Sequence, residues 1–195
     1  PSAACPRCTV APPRLGHADT CAAHKSARTL AHEDIKWAIV SLLRTIEGTL
    51  VHTEPPISGP STGPITRNDI LVTGSGPRAE YDISVKAMSS RKNNRTHAEI
   101  GAQADDDDRA VAARIEQALA ARGAEKMAKQ PANTATFVPI ILSAGGVIYG
   151  PSLTEAFERW RQKTDAADYQ YAISRISIAL LRRRAATGQF ADNRQ

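Results

Sequence analysis

Two aspartates in neighbouring apolar segments are the residues of this sequence best suited to chemistry. Asp69 opens the segment RNDILVT, Asp82 lies inside AEYDISVKA, and a Gly-Ser-Gly-Pro turn separates the two. The pattern predicts a β-hairpin over Arg67–Lys86. A charged side chain is costly in an apolar strand unless something pairs with it. Two carboxylates brought side by side by a hairpin could instead hold a divalent metal ion, and this is our first hypothesis.

Alternation divides the second strand of the hairpin into two faces. The apolar face holds Tyr81, Ile83 and Val85. The polar face holds Glu80, Asp82, Ser84 and Lys86. This polar face is either solvated or lines a cleft, and the acid on the neighbouring strand shifts the balance toward a cleft.

All three cysteines fall within the first 21 residues, in a pattern typical of a zinc site. Cys5 and Cys8 form a Cys-x2-Cys pair; His17 follows after eight intervening residues, and Cys21 after three more intervening residues. Thiolates and imidazole suit zinc, and the intervening APPRLG needs a metal to become ordered. We therefore expect Cys5, Cys8, His17 and Cys21 to hold Zn²⁺ in a reducing compartment. His24 is a rival fourth ligand, and a disordered segment with spare thiols is the alternative.

Helices and strands predicted on both sides of the hairpin must position the two acids. Apolar residues at three- and four-residue spacing predict a helix over about 30–47, with Thr29 as N-cap. Its first turn contains His32 and Glu33. The segment TLVHTEPP then predicts a short strand before the hairpin.

A second helix is predicted over about 109–127, and the acids at 105–108 are expected to cap it. Its apolar stripe comprises Val111, Ile115, Ala118 and Leu119. At about 100° per residue, Lys126 and Lys129 continue that stripe. These lysines either snorkel past the sheet edge or point into a polar cleft, and Gly123 could interrupt the helix.

The last third of the sequence predicts one strand and two helices. TFVPIILSAGG, from Thr136, predicts a buried strand, in which Pro139 indicates an edge position or a bulge. Ser152 and Glu155 predict a capping box for the next helix. The final helix is predicted over about 166–186 and ends in an arginine run.

Composition and net charge limit the domain size and the kinds of partner less sharply than the motifs do. The 195 residues, 42% of them hydrophobic, suit one domain with small appendages, and no apolar run predicts a membrane span. A net charge of +5 and a pI near 9.3 weakly favour an anionic partner. Basic residues cluster at 91–95 and at Arg182–Arg184, which we expect to contact phosphates. A start at Pro1, on the edge of the cysteine motif, predicts a piece of a longer protein.

The predicted order of helix, strand, acid-bearing hairpin, helix and strand resembles the core of the restriction-endonuclease-like PD-(D/E)xK nucleases. The whole chain resembles the C-terminal region of site-specific non-LTR retrotransposon proteins, where a Cys-Cys-His-Cys zinc knuckle precedes such a nuclease domain. The family's Arg/Lys-Pro-Asp motif corresponds to Arg67-Asn68-Asp69, and its second acidic strand to Asp82-Ile83-Ser84-Val85. The separation of the two acids by thirteen positions also fits the family.

The retrotransposon branch resembles this chain in its lysines as well. Most nucleases of the class have a lysine two residues after the second acid, where this chain has Ser84. The branch carries a Lys-x-x-Lys pair on the following helix, which Lys126 and Lys129 match, and FVPIILSAGG is similar to its Phe-Val-Pro…Gly-Gly stretch. Two features depart from the family: Asn68 replaces the usual Pro, and the knuckle has His-x3-Cys where His-x4-Cys is usual.

The resemblance implies an α/β fold with a restriction-endonuclease-like core (helix, three-stranded sheet, helix, strand), an N-terminal zinc knuckle and C-terminal helices. The implied domains are a zinc knuckle at 1–25, the nuclease domain at 26–150 and a helical tail at 151–195. The implied partners are the DNA target, the RNA of the element and an upstream reverse transcriptase domain, with no membrane, in the nucleus.

The implied function is Mg²⁺-dependent nicking of target DNA, which primes reverse transcription. Asp69 and Asp82, helped by the Ile83 carbonyl, would hold Mg²⁺. Lys126 would orient the attacking water or stabilise charge on the phosphate, with Lys129 in support and Lys86 in reserve. The alternatives are a catalytically inactive nucleic-acid-binding module of the same protein, which Asn68 and Ser84 favour, and a structural domain serving the reverse transcriptase.

Overall fold

The computed structural model describes residue 8 and residues 21–54, 68–74, 76–87, 108–130 and 136–186, although side chains at 108–111 are not described. These residues form a mixed α/β arrangement of one four-stranded sheet and several helices. In chain order the elements are a 3₁₀ turn (Ala22–His24), α1 (Lys25–Leu43), β1 (Thr49–Thr53), β2 (Ile70–Gly74), β3 (Ala79–Lys86), α2 (Asp108–Met127), β4 (Thr136–Ser143), α3 (Gly150–Ser152), a π-helical turn (Leu153–Phe157), α4 (Glu158–Lys163) and α5 (Ala166–Ala186).

The strands follow one another across the sheet in the order β1-β2-β3-β4. β1, β2 and β3 pair antiparallel, as hairpin-connected strands do, whereas β3 and β4 pair parallel. A parallel pair needs a long crossover, and α2 lies within that connection. The predicted edge position of Pro139 is confirmed, because β4 is the last strand of the sheet.

The first helix is longer at its start and shorter at its end than its periodicity predicts. It begins at Lys25, so Thr29 is not an N-cap, and the Thr29 hydroxyl donates to the Lys25 carbonyl at 3.1 Å. It ends at Leu43, and the Thr49 hydroxyl caps it by donating to the Leu43 carbonyl at 2.8 Å. Gly48, with φ +73°, makes the turn into β1 instead of ending the helix.

The main core lies between one face of the sheet, α1 and α5. The apolar face of β3 is as predicted in its first half, because Tyr81 and Ile83 are buried there. Trp160 packs edge-on against Tyr81, with ring centroids 5.3 Å apart. The core also takes in Ile176 and Leu180 of α5. The C-terminal helices, expected as a tail, thus contribute directly to the same core as the sheet.

The predicted capping box at Ser152 and Glu155 is wrong. The helical segment begins at Gly150 with Pro151 in its first turn, and Ser152 makes no capping bond. The Ser152 hydroxyl instead donates to the Pro139 carbonyl at 2.6 Å and accepts from the Ile141 amide at 3.1 Å. It thereby satisfies polar backbone groups on the open edge of β4, which would otherwise be buried without partners.

The second helix lies over the opposite face of β3 and β4. Leu119 is buried against that face. Gly123 does not interrupt the helix, which runs unbroken to Met127. A Cβ atom at Gly123 would lie 2.8 Å from Cε1 of Tyr149, so the glycine allows this close approach. In the part of the chain that is described, no helix is both long and apolar enough to cross a membrane.

Candidate active site

The hairpin places the two acids next to each other on the sheet. Ile70 pairs with Tyr81 in the antiparallel register of β2 and β3. Asp69 lies one residue before β2, and its carboxylate accepts a hydrogen bond from the amide of Ile83, the residue after Asp82, which brings the two acids together. The Asp69 amide also donates to the Tyr81 carbonyl at 3.1 Å, which fixes the start of β2 against β3.

Three groups hold the carboxylate of Asp69, which is 16% exposed. The Ile83 amide donates to Oδ2 at 2.6 Å, and Nε2 of His32 lies 3.1 Å from Oδ1. Burial pushes the pKa of Asp69 upward, but the bonds from His32, the Ile83 amide and the Asp82 carboxyl outweigh it and lower the pKa. Asp69 is therefore held ionised at neutral pH.

Asp82 has the opposite shift. Its side chain is 13% exposed and forms an ion pair with Lys126. Burial raises the pKa of Asp82, and the neighbouring Asp69 raises it further, while Lys126 acts against both and only partly offsets them. The two carboxyls thus form a coupled pair in which a second negative charge is unfavourable.

His32 belongs to this site, although the sequence analysis assigned it no role. It stands in α1, and the hydrogen bond to Asp69 raises the pKa of its imidazole. The sequence does contain a signal. His32 precedes Ile35 and Ile39 at the three- and four-residue spacing of the buried helix face. A histidine on that face of α1 points toward the sheet, where Asp69 stands.

Of the lysines considered, the structure brings only Lys126 to an acid of the site. Its side chain is 17% exposed and contacts Asp82. Lys129 lies in the turn after α2, is 58% exposed and pairs with Glu125 at 3.0 Å. Lys86 lies on the polar face of β3, half-buried and four residues beyond Asp82.

The residues of α2 that face β3 recur every four positions. Arg122 donates from Nε to the Ser84 hydroxyl at 3.0 Å, and one helical turn later Lys126 meets Asp82. Gln130, after the end of the helix, is the next residue at this interval. Polar side chains of α2 thus cover the polar face of β3, so this face packs against the helix instead of meeting open solvent.

Asn68, which departs from the family pattern, ties three elements together. It is 1% exposed and donates to Oε2 of the equally buried Glu80 at 2.6 Å. Its amide and that of Gln130 donate to each other, at 3.3 and 3.1 Å. Arg78 supplies a positive charge to Glu80 at 2.8 Å. Asn68 thereby fixes the entry to β2, one residue before Asp69.

A buried lysine with two acidic partners, both more exposed than it, holds α1 against the same end of the sheet. Lys36 has a side chain only 3% exposed, and it contacts Glu33 at 2.7 Å and Glu54 at 2.8 Å. The Glu54 amide donates to the Asp69 carbonyl at 2.9 Å. Glu33 thus acts as a structural partner of Lys36, which supports the position of His32 one residue earlier in the chain.

The donor set of the acidic pair fits a hard divalent cation. Asp69 and Asp82 provide neighbouring carboxylate oxygens, the ligands that Mg²⁺ prefers. Among the described residues, no group of three His, Cys, Asp or Glu side chains forms a complete metal cluster. Mg²⁺ is usually bound through one or two carboxylates plus water and substrate phosphates. A cation would also relieve the repulsion that raises the pKa of Asp82.

The expected zinc ligands and basic clusters are only partly described. Cys5 and His17 lie outside the described residues, as does the basic segment at 91–95. Cys21 and His24 are both buried, at 1% and 6% exposure, at the 3₁₀ turn before α1. In the arginine run, Arg183 is 3% exposed. It cannot contact phosphate as expected, because only Arg182 and Arg184 retain access to solvent.

Comparison with models of known protein families found none that matches the chain. A search of curated proteins likewise found no significant match.

Proposed function

We propose that this chain is a Mg²⁺-dependent DNA endonuclease with a restriction-endonuclease-like core, which nicks target DNA to prime reverse transcription in a non-LTR retrotransposon protein. The observation that carries the proposal is the pair of buried carboxyls with Lys126 beside one of them. The order of α1, three strands, α2 and β4 supports it, because this is the order of elements in that nuclease class.

The proposed chemistry divides among three side chains. Asp69, kept ionised by its hydrogen bonds, and Asp82 would hold the cation. Bound Mg²⁺ would lower the pKa of a water molecule and stabilise the attacking and leaving oxygens of a phosphodiester. Lys126 keeps Asp82 available as a carboxylate and places an ammonium where negative charge develops on the phosphate. His32 would act as a positioning residue, since it contacts Asp69 and fixes its orientation.

Partners and localisation extend the same proposal. A zinc knuckle with Cys5, Cys8, His17 and Cys21 as ligands, or His24 in place of His17, would help position target DNA or the RNA of the element. An upstream reverse transcriptase domain would extend the 3′ hydroxyl released by the nick, in the nucleus. The basic segment at 91–95, with Arg182 and Arg184, would hold phosphates without reading sequence.

The proposal is tested by relaxation of supercoiled plasmid, with Mg²⁺ and with EDTA. Asp69→Asn and Asp82→Asn should each reduce Mg²⁺-dependent nicking at least about 100-fold while DNA binding persists, because charge stabilisation at the cleavage centre is lost. Asp168→Asn is the matched control, since Asp168 is exposed on α5. Undiminished nicking by either of the first two variants would contradict the role of that acid.

The runner-up is a nucleic-acid-binding module without catalysis. The contacts of Asn68 favour it, because its side chain serves the structural contacts with Glu80 and Gln130. The same plasmid assay separates the two functions. A binding module shifts the plasmid in a gel at low salt but leaves it supercoiled with Mg²⁺, whereas a nuclease converts it to the open circle.

A further inference from the structure

Arg122 occupies a position that the proposed chemistry leaves unused. It stands one helical turn before Lys126 on the same side of α2, and its Nε donates to the Ser84 hydroxyl. Ser84 follows Asp82 by two residues, so both side chains project from the same face of β3, about 7 Å apart along the strand. Arg122 therefore borders the acidic pair along β3, beyond Asp82.

The guanidinium of Arg122 is anchored but only partly satisfied. Its Nε donates to the Ser84 hydroxyl at 3.0 Å, and its Nη1 pairs with the Glu125 carboxylate at 2.6 Å. Within the described part of the chain, no acceptor is paired with Nη2. The side chain is 26% exposed, so that the end of the group meets solvent. A fork of donors held in place on one side and open on the other is well suited to a second anionic acceptor.

We propose that Arg122 binds a non-bridging oxygen of the phosphate that neighbours the one to be cleaved, on the same nucleic-acid strand. This rests on the proposed function, because Asp69, Asp82 and Lys126 define where cleavage occurs. The separation of Arg122 from Lys126 by one turn suits contact with two successive phosphates better than with one. A flanking phosphate is bound alike in the ground state and the transition state, so its loss raises KM and leaves kcat nearly unchanged.

A purely structural role for Arg122 predicts a different result. If the side chain only fastens α2 to β3 through Ser84, its removal lowers stability but does not change the number of phosphates that the protein neutralises. The slope of log Kd against log salt measures that number, and it falls by about 0.9 for each phosphate that the protein no longer neutralises. The slope therefore separates a phosphate-binding role from a structural one.

The experiment compares Arg122→Gln, Arg122→Lys and Arg161→Gln in the whole chain. Arg161 is exposed on α4, at the opposite side of the sheet, so its variant loses the same charge away from the site. Fluorescence anisotropy with labelled duplex DNA, without added Mg²⁺, gives Kd from 50 to 200 mM salt without cleavage. Nicking of the same duplex with Mg²⁺ gives kcat and KM, and thermal melts report folding.

Arg122→Gln should raise Kd and KM about 10-fold, the effect of losing one charge-assisted hydrogen bond, and reduce the salt slope by about 0.9. Its kcat should stay within about twofold. Arg122→Lys should keep the slope but regain only part of the affinity, since lysine lacks the planar fork. Arg161→Gln should match wild type. If Arg122→Gln does not fold, Arg122→Lys still decides, because unchanged Kd and KM in that variant contradict the proposal.

The assay keeps the two proposals apart. If wild type nicks DNA and Arg122→Gln leaves the salt slope unchanged, the proposed phosphate contact of Arg122 is wrong and the nuclease stands. If wild type binds but never nicks, and Arg122→Gln still lowers the slope, Arg122 binds phosphate in a non-catalytic module. A fall in kcat at unchanged KM would overturn the assignment to a flanking phosphate.

Discussion

At the scale of single residues, Asp69 and Asp82 lie side by side yet have pKa values shifted in opposite directions. Burial raises both, so the difference arises from their other partners. Asp69 accepts hydrogen bonds from His32 and the Ile83 amide, whereas Asp82 pairs with Lys126 and adjoins the negative charge of Asp69. The pair thus combines a carboxylate that is fixed in place with one whose charge depends on a nearby cation.

His32 is the residue whose substitution should test this arrangement most directly. His32→Ala removes the bond to Oδ1 of Asp69, so the carboxylate loses its orientation and the Mg²⁺ concentration for half-maximal nicking should rise about 10- to 100-fold. His32→Gln, whose amide can still donate, should recover part of that loss. His52→Ala is the control, since His52 is exposed on β1. An unchanged Mg²⁺ requirement in His32→Ala would show that His32 does not position Asp69.

The sequence predicted that the two acids lie together, but only one of the two lysines that it indicated lies beside them. Apolar alternation was enough to set Asp69 beside Asp82, because a tight hairpin leaves few registers. The stripe of α2 predicts the same side of the helix for Lys126 and Lys129, but only Lys126 lies beside an acid of the site, for a physical reason. The helix ends at Met127, so the rotation of 100° per residue no longer applies two positions later, and Lys129 pairs with Glu125.

At the scale of elements, periodicity located the buried parts of helices and missed their exposed ends. The first turns of α1 carry lysine, arginine and alanine, which favour helix without contributing an apolar face. A period-based boundary at 30 therefore fell five residues after the true start at Lys25. The predicted 166–186 helix was placed correctly, since apolar residues reach both ends of α5.

Asn68 should matter for how β2, β3 and the end of α2 are joined. Asn68→Ala leaves the buried Glu80 carboxylate without one of its donors, and it breaks the amide pair with Gln130. We expect a loss of about 2–3 kcal/mol in the free energy of unfolding, measured by urea denaturation. Gln130→Ala should lower the free energy of unfolding by only about 1 kcal/mol, because the hydrogen bond from Asn68 to Glu80 remains. Equal losses in the two variants would contradict the central role of Asn68.

Gly123 should be required by the packing of α2 against Tyr149. Alanine favours helix over glycine by about 1 kcal/mol, but its Cβ would lie 2.8 Å from the Tyr149 ring. Gly123→Ala should therefore destabilise by about 1–3 kcal/mol. In a Tyr149→Ala background the same substitution should stabilise by about 1 kcal/mol.

Ala124→Gly, at an exposed neighbouring position, measures the helix propensity alone. If Gly123→Ala stabilises the protein that retains Tyr149, the close approach of residue 123 to the Tyr149 ring does not require a glycine.

At the scale of the whole molecule, the polar face of β3 and the apolar core lie on opposite sides of one sheet, and His32 reaches Asp69 from α1 on the core side. Asp82 and Ser84 face α2, while Tyr81 and Ile83 face α1, α4 and α5. The order of elements was readable from the sequence, because each element has its own period and turn residues. The packing of the C-terminal helices was not, since a surface tail and a core helix can share the same apolar stripe.

The role of the C-terminal helices leads to a prediction about where the chain can be cut. The core contains Phe157 and Trp160, at 1% and 3% exposure, and Ile176 and Leu180 of α5. A fragment covering 21–150 should expose the face of the sheet and α1 that these side chains cover. It should therefore lack cooperative thermal unfolding and bind a hydrophobic dye, as compact states without fixed packing do.

The fragment 21–186 is the matched control, because it keeps every described element from the 3₁₀ turn onward, and it should unfold cooperatively. Within the whole chain, Trp160→Ala should cost about 3–5 kcal/mol by leaving a cavity beside Tyr81. Leu153→Ala is the control substitution in the same helical segment, since Leu153 is 38% exposed, and it should cost less than about 1 kcal/mol. Cooperative unfolding of 21–150, with no dye binding, would show that the sheet and α1 form a core without the C-terminal helices.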